Sequence, residues 1–155
     1  GTQLLEKQKM KFTYGLTERQ LQKYFNEAKR KKGITGDLLL GALEKRLDNA
    51  IYRSGLAASR VVARQLVNHG HFLVNNKKVT IPSYSVKTGE IIAIKPKSRS
   101  KAMFFDLANK LKKHEAPAWL AVNKKDLDIT VKAEPKNDDL PKNFNLNVIA
   151  AYYSK

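Results

Sequence analysis

The chain has 155 residues, 42% of them apolar, enough for one ordinary domain or two small ones sharing a core. Its 30 Lys/Arg against 14 Asp/Glu give a formal charge of +16 and a pI near 10.0, a balance that favours polyanionic partners. The absence of cysteine excludes disulfides, thiolate catalysis and cysteine zinc sites, and no apolar run approaches the roughly 20 residues a membrane helix needs.

The charge is uneven. Residues 1–36 hold nine Lys/Arg against three acids, residues 37–105 twelve against four, and residues 106–155 nine against seven. The polyanion-facing surface is therefore expected in the first two thirds. No secretory signal is visible, and Gly1-Thr2 opens the chain without an initiator Met, so further residues are expected upstream.

The first predicted helix opens at Thr17-Glu18-Arg19-Gln20, a capping box in which Thr and Gln satisfy two helix-end N–H groups. Leu21, Tyr24, Phe25 and Ala28 then share one face, with Arg19, Gln22, Lys23 and Glu27 opposite. A second helix is predicted to start near Asp37 as N-cap and run to Gly55, burying Leu39, Leu40, Leu43, Leu47 and Ile51. Its other face holds Arg46, Asn49 and Arg53. Ser59 caps a third helix with apolar Val62, Ala63, Leu66 and Val67, closed by Gly70.

The period then changes. His71 to Val74 reads as a strand, and Asn75-Asn76 suits a tight hairpin. Val79 and Ile81 alternate, Pro82-Ser83 breaks the strand, and Ile91 to Ile94 is another. Residues 95–101 read as a basic connector, followed by a helix over roughly 101–113 that buries Met103, Leu107 and Leu111. Short strands are predicted at Trp119 to Val122 and Leu127 to Val131, and a final helix holds Val148, Ile149 and Tyr152.

Packing of the second and third helices through Leu43, Leu47, Leu66 and Val67 would set Arg46, Arg53, Arg60 and Arg64 on one ridge. Guanidinium forks fit phosphate oxygens, and such contacts position a protein on a nucleic acid. Asn, Gln and His between the arginines favour this over a merely solvated basic face. RNA is favoured over DNA because no long recognition helix is offered to a major groove. His69 and His71 flank a glycine with no carboxylate nearby, a poor metal set. Asp126, Asp128, Asp138 and Asp139 are scattered among lysines, and no nucleophile–base pair or Gly-rich phosphate loop appears. No enzyme, cofactor or metal site is read here.

Four stretches, RLDNAIYR (46–53), ARQLVNHGH (63–71), IPSYSV (81–86) and YYSK (152–155), carry a resemblance to a known family. The opening EKQKMKFTYGLTERQ (6–20) extends it over nearly the whole chain. The segment from Leu38 to Ile94 resembles the alpha-L or S-four RNA-binding module. The chain as a whole resembles the bacterial-type S-four family of small-subunit ribosomal proteins.

The resemblance implies an α+β fold. A discontinuous helical domain would comprise 1–40 and about 140–155. A small α/β RNA-binding module, two helices followed by a small antiparallel sheet, would occupy 41–100, extended over 101–139. It also implies a cytoplasmic ribosomal protein, with no membrane partner, that binds a multi-helix junction in the 5′ domain of small-subunit rRNA early in assembly. Such a protein contributes to translational accuracy and neighbours both the fifth small-subunit protein and the channel through which messenger RNA enters. By position, Lys7, Lys9, Lys11, Tyr14, Arg19 and Lys23 match the N-terminal RNA-contacting segment. Arg46, Arg53, Ser59, Arg60, Arg64, Gln65, His69, His71, Lys77 and Lys78 match the RNA face of the module.

Family members usually carry some forty more N-terminal residues, sometimes with zinc-binding cysteines. The chain departs from the pattern at Asn75-Asn76, where Asn-Gly is usual, at EPKNDDLP, which lacks an arginine, and at AAYYSK, which lacks an acid. The rival readings are a free-standing heat-shock RNA-binding module and a fragment of an RNA-modifying enzyme. The ribosomal reading requires residues 1–36 and 140–155 to pack together.

Overall fold

The computed structural model describes residues 1–136 and 138–154. In chain order the helices are α1 (Thr2–Tyr14), α2 (Glu18–Arg30), α3 (Thr35–Glu44), α4 (Leu47–Ser54) and α5 (Arg60–Asn68). Strands β1 (Phe72–Val74), β2 (Lys77–Lys78) and β3 (Ile91–Ile94) follow, then α6 (Leu107–Lys112), β4 (Leu120–Asn123), β5 (Asp128–Val131) and α7 (Leu146–Tyr153). The class is α+β, with a sheet that is antiparallel throughout. The chain divides into two compact units, Gly1–Glu44 with Pro135–Lys155, and Lys45–Glu134.

The first unit is helical. α2 starts as its capping box dictates: Thr17 Oγ1 accepts from Gln20 N–H at 3.2 Å, and Gln20 Oε1 accepts from Thr17 N–H at 2.9 Å. Its apolar face, Leu21, Phe25 and Ala28, is buried. α7 packs on α1 and α3, so the two ends of the chain meet, as the ribosomal reading required. Phe25 stacks on Tyr153 at 4.8 Å, and Gly36 of α3 lies under Leu146, whose Cβ would stand 2.7 Å from any Cβ placed on the glycine. α1 has no counterpart in the reading of periodicity, although the resemblance implied a helical domain over 1–40. Its buried face is Lys7, Met10 and Tyr14, so a lysine occupies the stripe whose apolar periodicity would have announced it.

The second unit packs α4 and α5 against a sheet of order β2-β1-β3-β5-β4. Phe72 pairs with Ile94 and Ile92 with Ile129, and the core holds these with Leu47, Ile51, Val67 and Trp119. Asn75 (φ 48°) and Asn76 (φ 66°) make the two-residue β1–β2 turn in the left-handed region that asparagine tolerates. Asn75 Oδ1 also accepts from Ile91 N–H at 2.9 Å, tying the turn to β3.

The single helix expected from Asp37 to Gly55 is two. Arg46 is extended (ψ 140°) and bridges Ser85. The N–H groups of Leu47 and Asp48 donate to the carbonyls of Tyr84 (2.8 Å) and Pro82 (3.1 Å), so IPSYSV caps α4 in place of a preceding helical turn. α3 begins at Thr35, leaving Asp37 in its first turn rather than at the cap. Leu43 belongs to the core of the first unit, not to the α4–α5 packing. The helix expected over 101–113 is a 3₁₀ turn at Ala102–Phe104 followed by α6. Phe104 takes the buried place assigned to Met103, which is 48% exposed.

Gly55 ends α4 at φ 90°, and a Cβ there would lie 2.8 Å from the ring of His114, which hydrogen-bonds the carbonyl of Arg53 at 2.7 Å. Gly55→Ala is therefore expected to destabilise by about 1–2 kcal/mol from the left-handed backbone alone, more with the displaced ring. A lowered urea midpoint checks it.

Candidate RNA interface

The second unit contains 18 Lys/Arg against seven acids, most of the chain's positive excess. Between Arg46 and Gly89 there is one acid, Asp48, and it is 1% exposed. Arg46 grips it with two parallel bonds, Nε to Oδ1 at 3.1 Å and Nη2 to Oδ2 at 3.0 Å. Arg64, one turn into α5, faces the same carboxylate with Nε 3.5 Å from Oδ2. Asp48 Oδ1 also accepts from Asn49 N–H at 2.7 Å. One buried carboxylate thus orients two guanidinium groups from different elements.

A second tier lies beside it. Arg60 donates Nε–H to Asn49 Oδ1 at 2.9 Å, and its guanidinium lies over the Tyr52 ring at 4.5 Å. Arg53 approaches the same ring at 5.9 Å. Asn49 is fully buried, so its side chain acts as a fixed acceptor. Such stacking and bonding restrict long side chains before any ligand arrives, which lowers the entropy lost on binding.

Of the four arginines expected on one ridge, Arg53 and Arg60 share the Tyr52 ring and Arg64 faces Asp48, all three half-buried. Arg46 is 4% exposed and paired with Asp48, so it does not reach the surface. Ser59, half-buried, caps α5, its hydroxyl accepting from Val62 N–H at 3.1 Å. Gln65, His69, Lys77 and Lys78 are exposed. The Lys78 side chain crosses Gly70, where a Cβ would stand 3.2 Å from its Cδ, so the hairpin lysines adjoin the end of α5. His71 is half-buried with Nδ1 2.8 Å from Ser98 Oγ, and its ring lies 6.3 Å from that of His69. Burial, then the charges of Lys101, His69 and Lys95, push its pKa below 6.5, so at neutral pH it offers hydrogen bonding rather than charge.

In the first unit the predicted residues separate similarly. Lys9, Arg19 and Lys23 are exposed and Lys11 is half-buried over Phe12. Arg19 and Lys23 line a shallow groove on α2 with Gln22 and Arg30. Lys7 and Tyr14 do not reach solvent: Lys7 is 4% exposed and paired with Glu18, and the Tyr14 hydroxyl donates to Glu44. Sequence reasoning missed Asp48. An isolated acid within so basic a stretch was the available signal.

Residues 45–92 match the family described as S4 domain, and residues 1–44 match the Ribosomal protein S4/S9 N-terminal domain. The boundary between the two matches falls where the first unit gives way to the second. This is an S4-domain protein, with the domain's helices carrying the arginine assembly.

Along its whole length the chain is 49% identical to the Small ribosomal subunit protein uS4 of Chloroflexus aurantiacus, covering 76% of that protein. It is 48% identical to the protein of the same name from Roseiflexus castenholzii, again covering 76%. For that of Borrelia hermsii the identity is 45%, with 75% covered. The chain belongs to the uS4 family of small-subunit ribosomal proteins, which are structural rather than catalytic.

Asp48→Asn keeps the shape but removes the charge that Arg46 and Arg64 face. A loss of about 3–5 kcal/mol is expected, the usual cost of breaking a buried ion pair, read as a lowered urea midpoint. A second outcome concerns Glu18, which accepts from Lys7 and, at 3.1 Å, from the Tyr153 hydroxyl. Partial burial raises its carboxyl, but the hydrogen bonds from Lys7 and Tyr153 and the charges of Lys7 and Lys11 outweigh that and hold it below 4.5. A lowered folded pKa gives stability that is complete above the unfolded value and lost as pH falls through the folded one. Acid titration of stability below pH 4.5 should show this component, and Glu18→Gln should abolish it.

Proposed function

We propose that this chain is a structural constituent of the small ribosomal subunit that binds its rRNA early in assembly, at a multi-helix junction of the 5′ domain. The observation that carries this reading is the Asp48-centred assembly. Arg53, Arg60 and Arg64 are held at fixed spacing by a carboxylate, an amide and an aromatic ring, with exposed Gln65, His69, Lys77 and Lys78 continuing the surface. Phosphates from different RNA helices meet donors already in place, which lowers the cost of bringing those helices together. Lys9, Lys11, Arg19 and Lys23 supply a second basic surface in the first unit.

The same reading places the fifth small-subunit protein as a neighbour and messenger RNA beside the chain, with an influence on translational accuracy. The family likeness over the whole chain supports it against the two rivals. A free-standing module leaves the helical unit unexplained, and a modifying enzyme leaves unexplained the likeness to uS4 along the whole chain.

The test is binding to a small-subunit rRNA 5′-domain transcript, titrated against salt beside a scrambled RNA. Arg60→Ala/Arg64→Ala should weaken binding and lower the slope of log K against log salt by roughly 0.7–0.9 for each phosphate contact removed. Equal affinity for both RNAs, with the double variant unaffected, would reduce the chain to a generic polycation.

A further inference from the structure

The segment from Lys95 to Lys113 lies outside the assembly described above, and it has an arrangement of its own. It carries seven Lys/Arg against one acid, Asp106. Within it Phe105 is 79% exposed, more than any other large apolar side chain among the described residues, and Met103 is 48% exposed. This exposure is not slack. The neighbouring Phe104 is buried, edge-on to Phe72 at 6.0 Å and to His71 at 6.2 Å. Ser98 is buried against His71, and Arg99 donates to the carbonyl of Asp126 at 2.7 Å. Two adjacent phenylalanines therefore point opposite ways, the inner one fixing the outer. The N–H groups of Phe104 and Phe105 bond to the carbonyls of Lys101 and Ala102, both at 3.0 Å, which completes the turn.

An aromatic ring exposed to water within so basic a segment suits a partner that is both flat and anionic. Every unpaired nucleotide supplies a π face and a phosphate together, whereas a protein surface would have to combine an apolar knob with a dense acidic rim. We propose that Phe105 is a stacking platform for an unpaired rRNA base, with Lys97, Arg99 and Lys101 engaging the phosphates on either side. The patch adjoins His71 through Phe104 and Ser98, so it extends the basic surface of the second unit to a single-stranded element. The proposal rests on the rRNA-binding reading and adds to it a chemical class of ligand site.

The full chain is titrated with the 5′-domain transcript as wild type, Phe105→Ala, Phe105→Leu and Phe105→Trp. The side chain is mostly in solvent, so each variant keeps the fold. Phe105→Ala is expected to weaken binding roughly tenfold, within the range measured for base–aromatic stacking, and to leave the salt slope unchanged because no charge is lost. Phe105→Trp should bind as wild type, and Phe105→Leu should behave as alanine. Wild-type selectivity with all three variants equal to it overturns the proposal and leaves a protein as the occupant of the patch. Leucine equal to phenylalanine, with alanine weaker, overturns stacking in favour of a generic apolar contact. Failure of the wild type to select the transcript removes the underlying reading, and this proposal with it.

Discussion

The carboxylate of Asp48 is the constraint on which the arginine assembly of the second unit depends. A charge buried to this degree is tolerated only when paired and hydrogen-bonded, and the pairing fixes what surrounds it. Arg46 must leave helical geometry to reach the carboxylate, so the chain bridges Ser85 and α4 begins afresh. Arg64 is drawn towards the same oxygens across the α4–α5 packing. A single acid thereby sets a helix start, a strand-like bridge and the orientation of guanidinium groups on two elements.

The division of labour among the cations follows from burial. Arg46 and Lys7 are themselves buried and paired with carboxylates, Asp48 inside the protein and Glu18 at its surface, and act as structural members of their units. Arg60 and Arg53 lean on Tyr52, where the aromatic face supports the cation while its outer edge stays open to solvent. Lys77, Lys78, Arg19 and Lys23 are exposed to solvent. Charge total alone says nothing of this partition, although it correctly indicates the kind of partner.

Some of this was legible in the sequence because the chemistry is local. Thr17 with Gln20 names a helix start, and Asn75-Asn76 names a turn of positive φ, since neither depends on anything more than a few residues away. The break at Lys45-Arg46 was not legible, because the groups that cap α4 lie in residues 82–84 and no Gly or Pro marks the spot. Nor was α1, whose buried face includes a lysine paired eleven residues downstream. The basic residues most easily taken for ligand contacts, Lys7 and Arg46, were the ones whose counter-charge the one-dimensional pattern does not display.

The first unit is assembled from residues 1–44 and 135–154, whereas the second is one continuous stretch, Lys45–Glu134. During synthesis from the N-terminus, α1, α2 and α3 emerge long before α7, the helix that packs upon α1 and α3. The sheet and its two helices are all present once Glu134 has been made. Every element of the second unit has thus been made while the helical unit still waits for its last member.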